Sequence, residues 1–141
     1  MKNKVLGVLM IMLVSIALIG VVVVILVNQL TGEAAGAEPS IEEVAEASVD
    51  VPEMTTNLKD GNFIRLSLKV QGSSKDAAEE LELRMFQINN LIISELSEKS
   101  AEELNGKEGK LAFQEALKAQ LNELMQKGEV EKVYLTSYLI Q

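Results

Sequence analysis

The chain contains no cysteine, no histidine and no tryptophan. Without cysteine, no disulfide can brace a domain outside the cell, and no thiol can serve as a nucleophile or a metal ligand. Histidine is the side chain whose ordinary pKa lies nearest neutrality and is the commonest general base, so its absence removes most acid–base chemistry. We therefore expect no catalytic residue, no metal site, no bound cofactor and no enzymatic activity in this chain.

The polar residues that are present form no recognisable catalytic constellation. Ser73 and Ser74 lack a histidine partner, which excludes a hydrolase triad, although a Ser–Lys arrangement stays formally open. Three nearby acids are more simply explained as the solvated face of a helix than as a carboxylate pair, namely Glu79, Glu80 and Glu82.

Basic residues are scarce outside the first positions of the chain. From residue 28 onward there are 21 acidic against 11 basic side chains, a net charge of −10, which would repel nucleic acid. The lysine-containing segment 106–110 lacks the Lys-Ser/Thr ending of a phosphate-binding loop and follows no strand, so we interpret it as a turn.

One long apolar run stands near the amino terminus, from Val5 through Leu13 and Gly20 to Val27, and it contains no charge. As a helix it would span about 35 Å, against a hydrocarbon core of about 30 Å. Although its valines favour strands, a helix is required in lipid, where every backbone group must be paired within the segment. We predict a membrane anchor over residues 5–27, with the lipid bilayer as its partner.

Charge on either side of the anchor predicts its orientation. Lys2 and Lys4 precede the run within a tip of residues 1–4, and the next basic residue is Lys59. The positive-inside rule then places the amino terminus in the cytoplasm and everything after Val27 outside.

Two other interpretations of this region stay open. Residues 35–37, Ala-Gly-Ala, match a signal-peptide cleavage pattern, although the apolar run exceeds the roughly 7–15 residues of a signal. Gly7, Ser15 and Gly20 could form a helix-packing face, although they do not make a GxxxG motif.

The next segment, residues 28–56, has seven acids, no base and both prolines, Pro39 and Pro52. Low hydropathy with unbalanced charge predicts an extended or disordered linker, one that anionic headgroups would repel. Alternatively, Ile41, Val44 and Ala45 could form a short helix on contact with a partner.

Residues 57–141 are predicted to fold as an α+β (α/β-like) domain of order β-β-α-α-β. Apolar and polar residues alternate over 64–70, which indicates a half-buried strand, and Asp60-Gly61 predicts a hairpin to a weaker strand before it. Ser73 or Ser74 caps a helix, a second helix begins near Lys110 and stops at Gly128, and residues 130–140 indicate a final strand.

We expect the core side chains of the first helix to recur at three- and four-residue steps: Ala78, Leu81, Met85, Ile88, Ile92 and Leu96. Phe86, Leu91 and Ile93 are expected to widen this core face. The second helix should turn four side chains inward: Phe113, Leu117, Leu121 and Leu124.

The final strand carries the chain's two tyrosines, Tyr134 and Tyr138. Simple alternation puts them on one side of the strand, together with Thr136 and Ile140. That side is either a partner interface, where tyrosine is enriched, or ordinary core.

Five segments of the chain carry a resemblance to a known family: FIRLSLKV (63–70), ELE (80–82), IISELSEK (92–99), GKL (109–111) and, above all, the ending VEKVYLTSYLIQ (130–141). With these segments the chain resembles the FliL family of flagellar basal-body-associated membrane proteins over nearly its whole length. At residues 89–90 it has Asn-Asn where the family usually has Arg-Asp.

The resemblance implies a stomatin-like domain outside the cytoplasmic membrane, assembly into rings around the flagellar stator units, and support of flagellar rotation, swarming and chemotactic motility. The alternative function is a membrane-anchored ligand-binding or sensor module, which would require a cytoplasmic output. Only residues 1–4 precede the predicted anchor, which disfavours the sensor.

Overall fold

The computed structural model of the protein describes residues 1–30 and 38–141, with the side chains of residues 28–30 excepted. The chain divides into two units, Met1–Pro39 and Ser40–Gln141. The Ala-Gly-Ala motif at 35–37 lies outside the described residues.

The first unit contains one long helix, α1 (Lys2–Leu30). Within Lys2–Val27 an 18-residue window has a mean hydropathy of 3.3 and no buried side chain, so this helix is long and apolar enough to cross a membrane. The predicted anchor residues Val5, Leu13, Gly20 and Val27 all lie on α1. Both predicted topology residues, Lys2 and Lys4, lie in its first turn.

The second unit begins earlier than its composition indicates. Helix α2 (Ile41–Glu46) is followed directly by strand β1 (Ser48–Asn57). Ser40 and Glu43 close a capping box at the start of α2, in which the Ser40 Oγ accepts from the Glu43 N–H and the Glu43 carboxylate accepts from the Ser40 N–H. The predicted linker over residues 28–56 is therefore wrong from residue 41 onward.

The sheet has three antiparallel strands in the order β1-β2-β3, where β2 is Phe63–Gly72 and β3 is Val130–Ile140. The predicted hairpin at Asp60-Gly61 joins β1 to β2, and Gly61 adopts a φ of +88°, which glycine tolerates. The Asp60 carboxylate accepts from the backbone N–H groups of Ala101 and Asn62 at 2.8 and 3.2 Å, which lowers the pKa of that carboxyl.

Three helices connect β2 to β3: α3 (Lys75–Leu83), α4 (Met85–Ser97) and α5 (Gly106–Leu124). The first predicted helix is thus two helices, which break at Arg84. Phe86 and Ile93 were expected in the core, but they are 72% and 45% exposed on α4. The α+β class is confirmed, and the stomatin-like arrangement stays a prediction.

Helix α5 starts before the position that the sequence predicts. The Asn105 side chain accepts from the Gly106 N–H at 2.9 Å and caps the helix there, so residues 106–110 form its first helical turn rather than a separate turn. The helix ends at Leu124, and Gly128, with a φ of +78°, lies in the turn that follows.

The core lies between one face of the sheet and the helices. Alternate residues of β2 point into it, and the intervening residues of the strand lie on the opposite face. The largest fully buried side chains are Leu58, Ile64, Leu66, Leu68, Leu81, Ile88, Ile92, Leu96, Leu104, Phe113, Leu117 and Leu121.

Candidate interaction surfaces

A β-bulge in β3 separates the two tyrosines. Ser137 is paired with Ser67, but the next residue of β2, Leu68, is paired with Leu135, so Thr136 is the extra residue. An extra residue reverses the alternation of side chains beyond it. Tyr138 therefore lies on the core side and Tyr134 on the opposite side, and the prediction that they share a face is wrong.

Tyr138 packs against the core and is anchored at its tip. Its hydroxyl donates to the Leu104 carbonyl at 2.9 Å, and the Lys110 Nζ lies 4.8 Å from the ring centroid. Burial raises the pKa of the Tyr138 phenol above its ordinary value. This tyrosine joins β3 to the turn before α5.

Tyr134 belongs to a polar cluster on the outer face of the sheet. Its hydroxyl donates to the Gln71 Oε1 at 2.7 Å, and the Gln71 Nε2 donates to the Glu131 carboxylate at 2.9 Å. The Lys132 Nζ lies 5.0 Å from the Tyr134 ring centroid. Gln71 is buried within this cluster, whereas Tyr134 itself is half-exposed on the outer face of the sheet.

Strand β3 forms one edge of the sheet, and side chains from α5 satisfy part of that edge. The Gln114 Nε2 donates to the Val133 carbonyl at 2.6 Å, and Asn122 bonds both the N–H and the carbonyl of Val130, at 2.6 and 3.1 Å. These two amides thereby pair three backbone groups of Val130 and Val133 on an edge strand.

A groove of about 490 Å³ lies beside the middle of β3, between that strand and the first half of α5. We name it the basic groove, because its lining includes two lysines and no acid. It is lined by Gly106, Lys107, Lys110, Leu111, Gln114, Tyr134 and Leu135.

Glu80 is not part of a solvated face, as the sequence had indicated, because it is only 8% exposed. Its carboxylate accepts from the Arg84 guanidinium at 2.7 Å and from the N–H groups of Gln126 and Lys127 at 3.0 and 2.6 Å. Burial raises the pKa of the Glu80 carboxyl, but these hydrogen bonds outweigh burial and hold the pKa below its ordinary value. Glu80 thereby joins α3 to the turn between α5 and β3.

A second groove, of about 440 Å³, lies between α4 and α5, and no charged side chain lines it. Exposed Phe86 lines it, together with Leu91 and the helix-terminal Leu124. The neighbouring Leu83, at the end of α3, is 80% exposed. Sequence periodicity assigned Phe86 to the core, since periodicity alone cannot show where a helix breaks.

Ser73 and Ser74, whose hydroxyl groups could in principle act as nucleophiles, both have structural hydrogen bonds. The Ser73 hydroxyl accepts from the Glu129 N–H at 3.1 Å, and the Ser74 hydroxyl caps α3 by accepting from the Ala77 N–H at 3.1 Å. Within residues 1–30 and 38–141, no three His, Cys, Asp or Glu side chains are grouped so that they could hold a metal ion.

Comparison with known proteins agrees with this architecture. The family model described as "Flagellar basal body-associated protein FliL" matches residues 48–141, which run from the start of β1 to the end of the chain. A curated relative, "Flagellar protein FliL" of Bacillus subtilis (strain 168), is 45% identical over 109 residues, covering 77% of this chain and 78% of that protein. The chain belongs to the FliL family of flagellar basal body-associated proteins.

Proposed function

We propose that this protein is a non-enzymatic, single-span protein of the cytoplasmic membrane at the flagellar basal body. Its amino terminus lies in the cytoplasm, and its second unit lies outside. There it associates with the stator units of the motor and supports flagellar rotation, swarming and chemotactic motility. The observation that carries the proposal is the family match across the entire sheet, from β1 to β3.

The division of the chain into two units supports this role. An apolar helix with no buried side chain needs an apolar environment from outside the protein, and the bilayer supplies one. The second unit has its own core and carries contact surfaces on its exterior. We further propose that copies of the chain associate with one another, as a ring around the stator units requires.

Reporter fusions test the proposed topology. A reporter that is active only outside the cytoplasm, fused after Gln141, should be active in the wild type because Lys2 and Lys4 retain the amino terminus inside. Moving two lysines to positions 28 and 29 while removing the native pair should scramble the orientation. Strong activity of a cytoplasmic reporter at Gln141 in the wild type would contradict the proposal.

Crosslinking in living cells tests the proposed partner. A photoreactive residue at exposed Phe86 or Lys107 should capture a stator protein or a second copy of this chain, because both positions lie on the candidate surfaces. A residue at buried Phe113 serves as the negative control. If neither surface position captures a motor protein in motile cells, the proposed association is wrong.

A further inference from the structure

The basic groove has the chemistry of a site for an acidic segment with an apolar side chain. Lys107 is an exposed lining residue, Lys110 lines the groove with its Nζ 4.8 Å from the centroid of the Tyr138 ring, and the lining residue Leu111 is 47% exposed. Leu135 contributes further apolar surface from β3. The chain as a whole carries a net negative charge. The basic groove, with two lysines and no acid in its lining, is therefore locally positive on an acidic protein.

The opposite edge of the same unit has the complementary chemistry. Residues 40–58 contain five acids and no base, and they form α2 and β1. Glu42 and Glu46 are exposed on α2, beside Ile41, which is 75% exposed although it opens a helix of a folded unit. An apolar side chain flanked by carboxylates fits a groove that is apolar inside and basic at its rim.

The acidic edge would contribute α2 rather than an added strand. Pro52 and the irregular register between Val51 and Met54 interrupt β1, and both features oppose pairing of this edge with another strand. Asp50 already forms an ion pair with Lys69 at 2.9 Å. The free acids and the exposed isoleucine of α2 are the groups left to make a contact.

The positions of these two surfaces determine the kind of assembly they can form. The strand order β1-β2-β3 places β1, with α2 before it, and β3, with the basic groove beside it, at opposite edges of one sheet. Two different patches that fit each other give a heterologous, head-to-tail contact, which closes into a ring when the rotation permits.

We propose that the α2 helix of one copy, with Ile41 and its acids, docks in the basic groove of the next copy. The inference rests on the self-association stated under the proposed function and names the surfaces that produce it. Head-to-tail contact leaves one free α2 and one free groove at the two ends of any open chain of copies.

Single substitutions in the full-length chain, purified in detergent, provide the first test. Lys107→Glu should weaken self-association about five- to tenfold, because it replaces an attraction with a repulsion at the groove rim. The matched control is Lys75→Glu, which makes the same charge change in the first turn of another helix, α3. Ile41→Ser should weaken association similarly, with exposed Leu83→Ser as its control. Because all four side chains are exposed, the thermal melts should stay close to that of the wild type.

Mixing two defective variants distinguishes head-to-tail contact from a two-fold contact. A Lys107→Glu/Lys110→Glu variant keeps α2 but loses the groove, whereas an Ile41→Ser/Glu42→Lys variant keeps the groove but loses α2. Neither should self-associate, yet an equal mixture should form a 1:1 complex and nothing larger in sedimentation velocity. If Lys110→Glu alone perturbs the fold, Lys107→Glu replaces the first variant in the mixture.

The outcomes separate failure of the inference from failure of the proposed function. If the wild type self-associates and the groove and α2 variants match their controls, the surfaces named here are wrong while the proposed function stands. If Lys107→Glu abolishes capture of a stator protein but not self-association, the groove serves another acidic partner and the inference is overturned. If the wild type is monomeric at all concentrations, in detergent and in crosslinked cells, the proposed self-association itself fails.

Discussion

Replacing Gly109 with alanine sets two effects on the stability of the fold against each other, namely helix propensity and close packing. It lies inside the first turns of α5, where an alanine would ordinarily stabilise the helix. A Cβ at this position would collide with the Glu103 carbonyl oxygen and would approach the Leu104 carbonyl carbon to 2.8 Å. Because the obstacles are backbone atoms, the collision cannot be relieved by rotating a side chain.

The two effects have opposite signs and can be weighed. Replacing glycine with alanine inside a helix is worth about 1 kcal/mol in favour of the folded state. Inserting a methyl group into a close-packed contact costs about 1–3 kcal/mol, and a backbone obstacle places this site near the upper end. We therefore expect Gly109→Ala to destabilise the unit by about 1–2 kcal/mol.

The assay is a thermal melt followed by circular dichroism on the full-length chain in detergent. For a unit of this size, about 1 kcal/mol corresponds to about 4–8 °C in Tm, so the expected shift is easily measured. Ala112→Gly, at an exposed position one turn further along α5, reports the propensity effect alone and should cost about 1 kcal/mol.

The sign of the change decides the matter. A rise in Tm for Gly109→Ala, of the size that Ala112→Gly loses, would show that the approach of α5 to the Glu103–Leu104 backbone is not as close as described. A fall in Tm would explain why glycine stands at the start of the Gly-Lys-Leu segment that links this chain to its family.

Three further predictions follow from the contacts. Tyr138→Phe should cost about 1 kcal/mol by urea unfolding, because a buried carbonyl loses its donor, and an unchanged midpoint would contradict the bond. The Glu80 carboxylate should stabilise the unit at pH values above its ordinary pKa of 4.5, and this contribution should be lost as the pH falls through the lowered pKa of the folded state. Glu80→Gln should therefore melt at a lower temperature than the wild type at pH 7 and lose less stability on acidification. Parallel plots of Tm against pH for the two proteins would refute this. A scrambled acidic sequence over residues 28–39 should leave swarming intact. Scrambling residues 41–52 should instead lower Tm, because it removes α2 and half of β1. Equal tolerance of both changes would contradict a folded unit that begins near residue 41.

Local patterns in the sequence predict those elements whose signals are local. The final strand is found at residues 130–140 as predicted. Its residue types favour strands, and the turn at Gly128 marks the point before which the strand cannot begin. The hairpin at Asp60-Gly61 has an equally local signal in its turn chemistry. These signals require no knowledge of which segments pair in space.

The failures arise where a distant partner determines the outcome. The bulge at Thr136 exists only in the pairing with β2, so alternation alone assigns Tyr134 and Tyr138 to one face. Strand β1 is a similar case. Its acids face solvent and its Pro52 lies at a bulge of an edge strand, so the strand has the amino-acid composition of a linker.

The surfaces were less accessible to sequence analysis than the fold. Glu80 reads as one of several helix acids, and only the turn that follows α5 makes it a buried anchor. Sequence analysis assigns Lys107 and Lys110 to a turn, and they line the basic groove only because α5 begins at Gly106 beside β3. A capping signal at Asn105 was present and could have placed the helix start correctly.

The most direct test of the account is motor output in cells that lack this protein. Flagella counted by electron microscopy should be present in near-normal number, while beads attached to single filaments should rotate more slowly under high load than in the wild type, with rescue by the intact chain and not by one lacking residues 40–141. Normal rotation under load in the deletion strain would contradict a role in supporting the stator units.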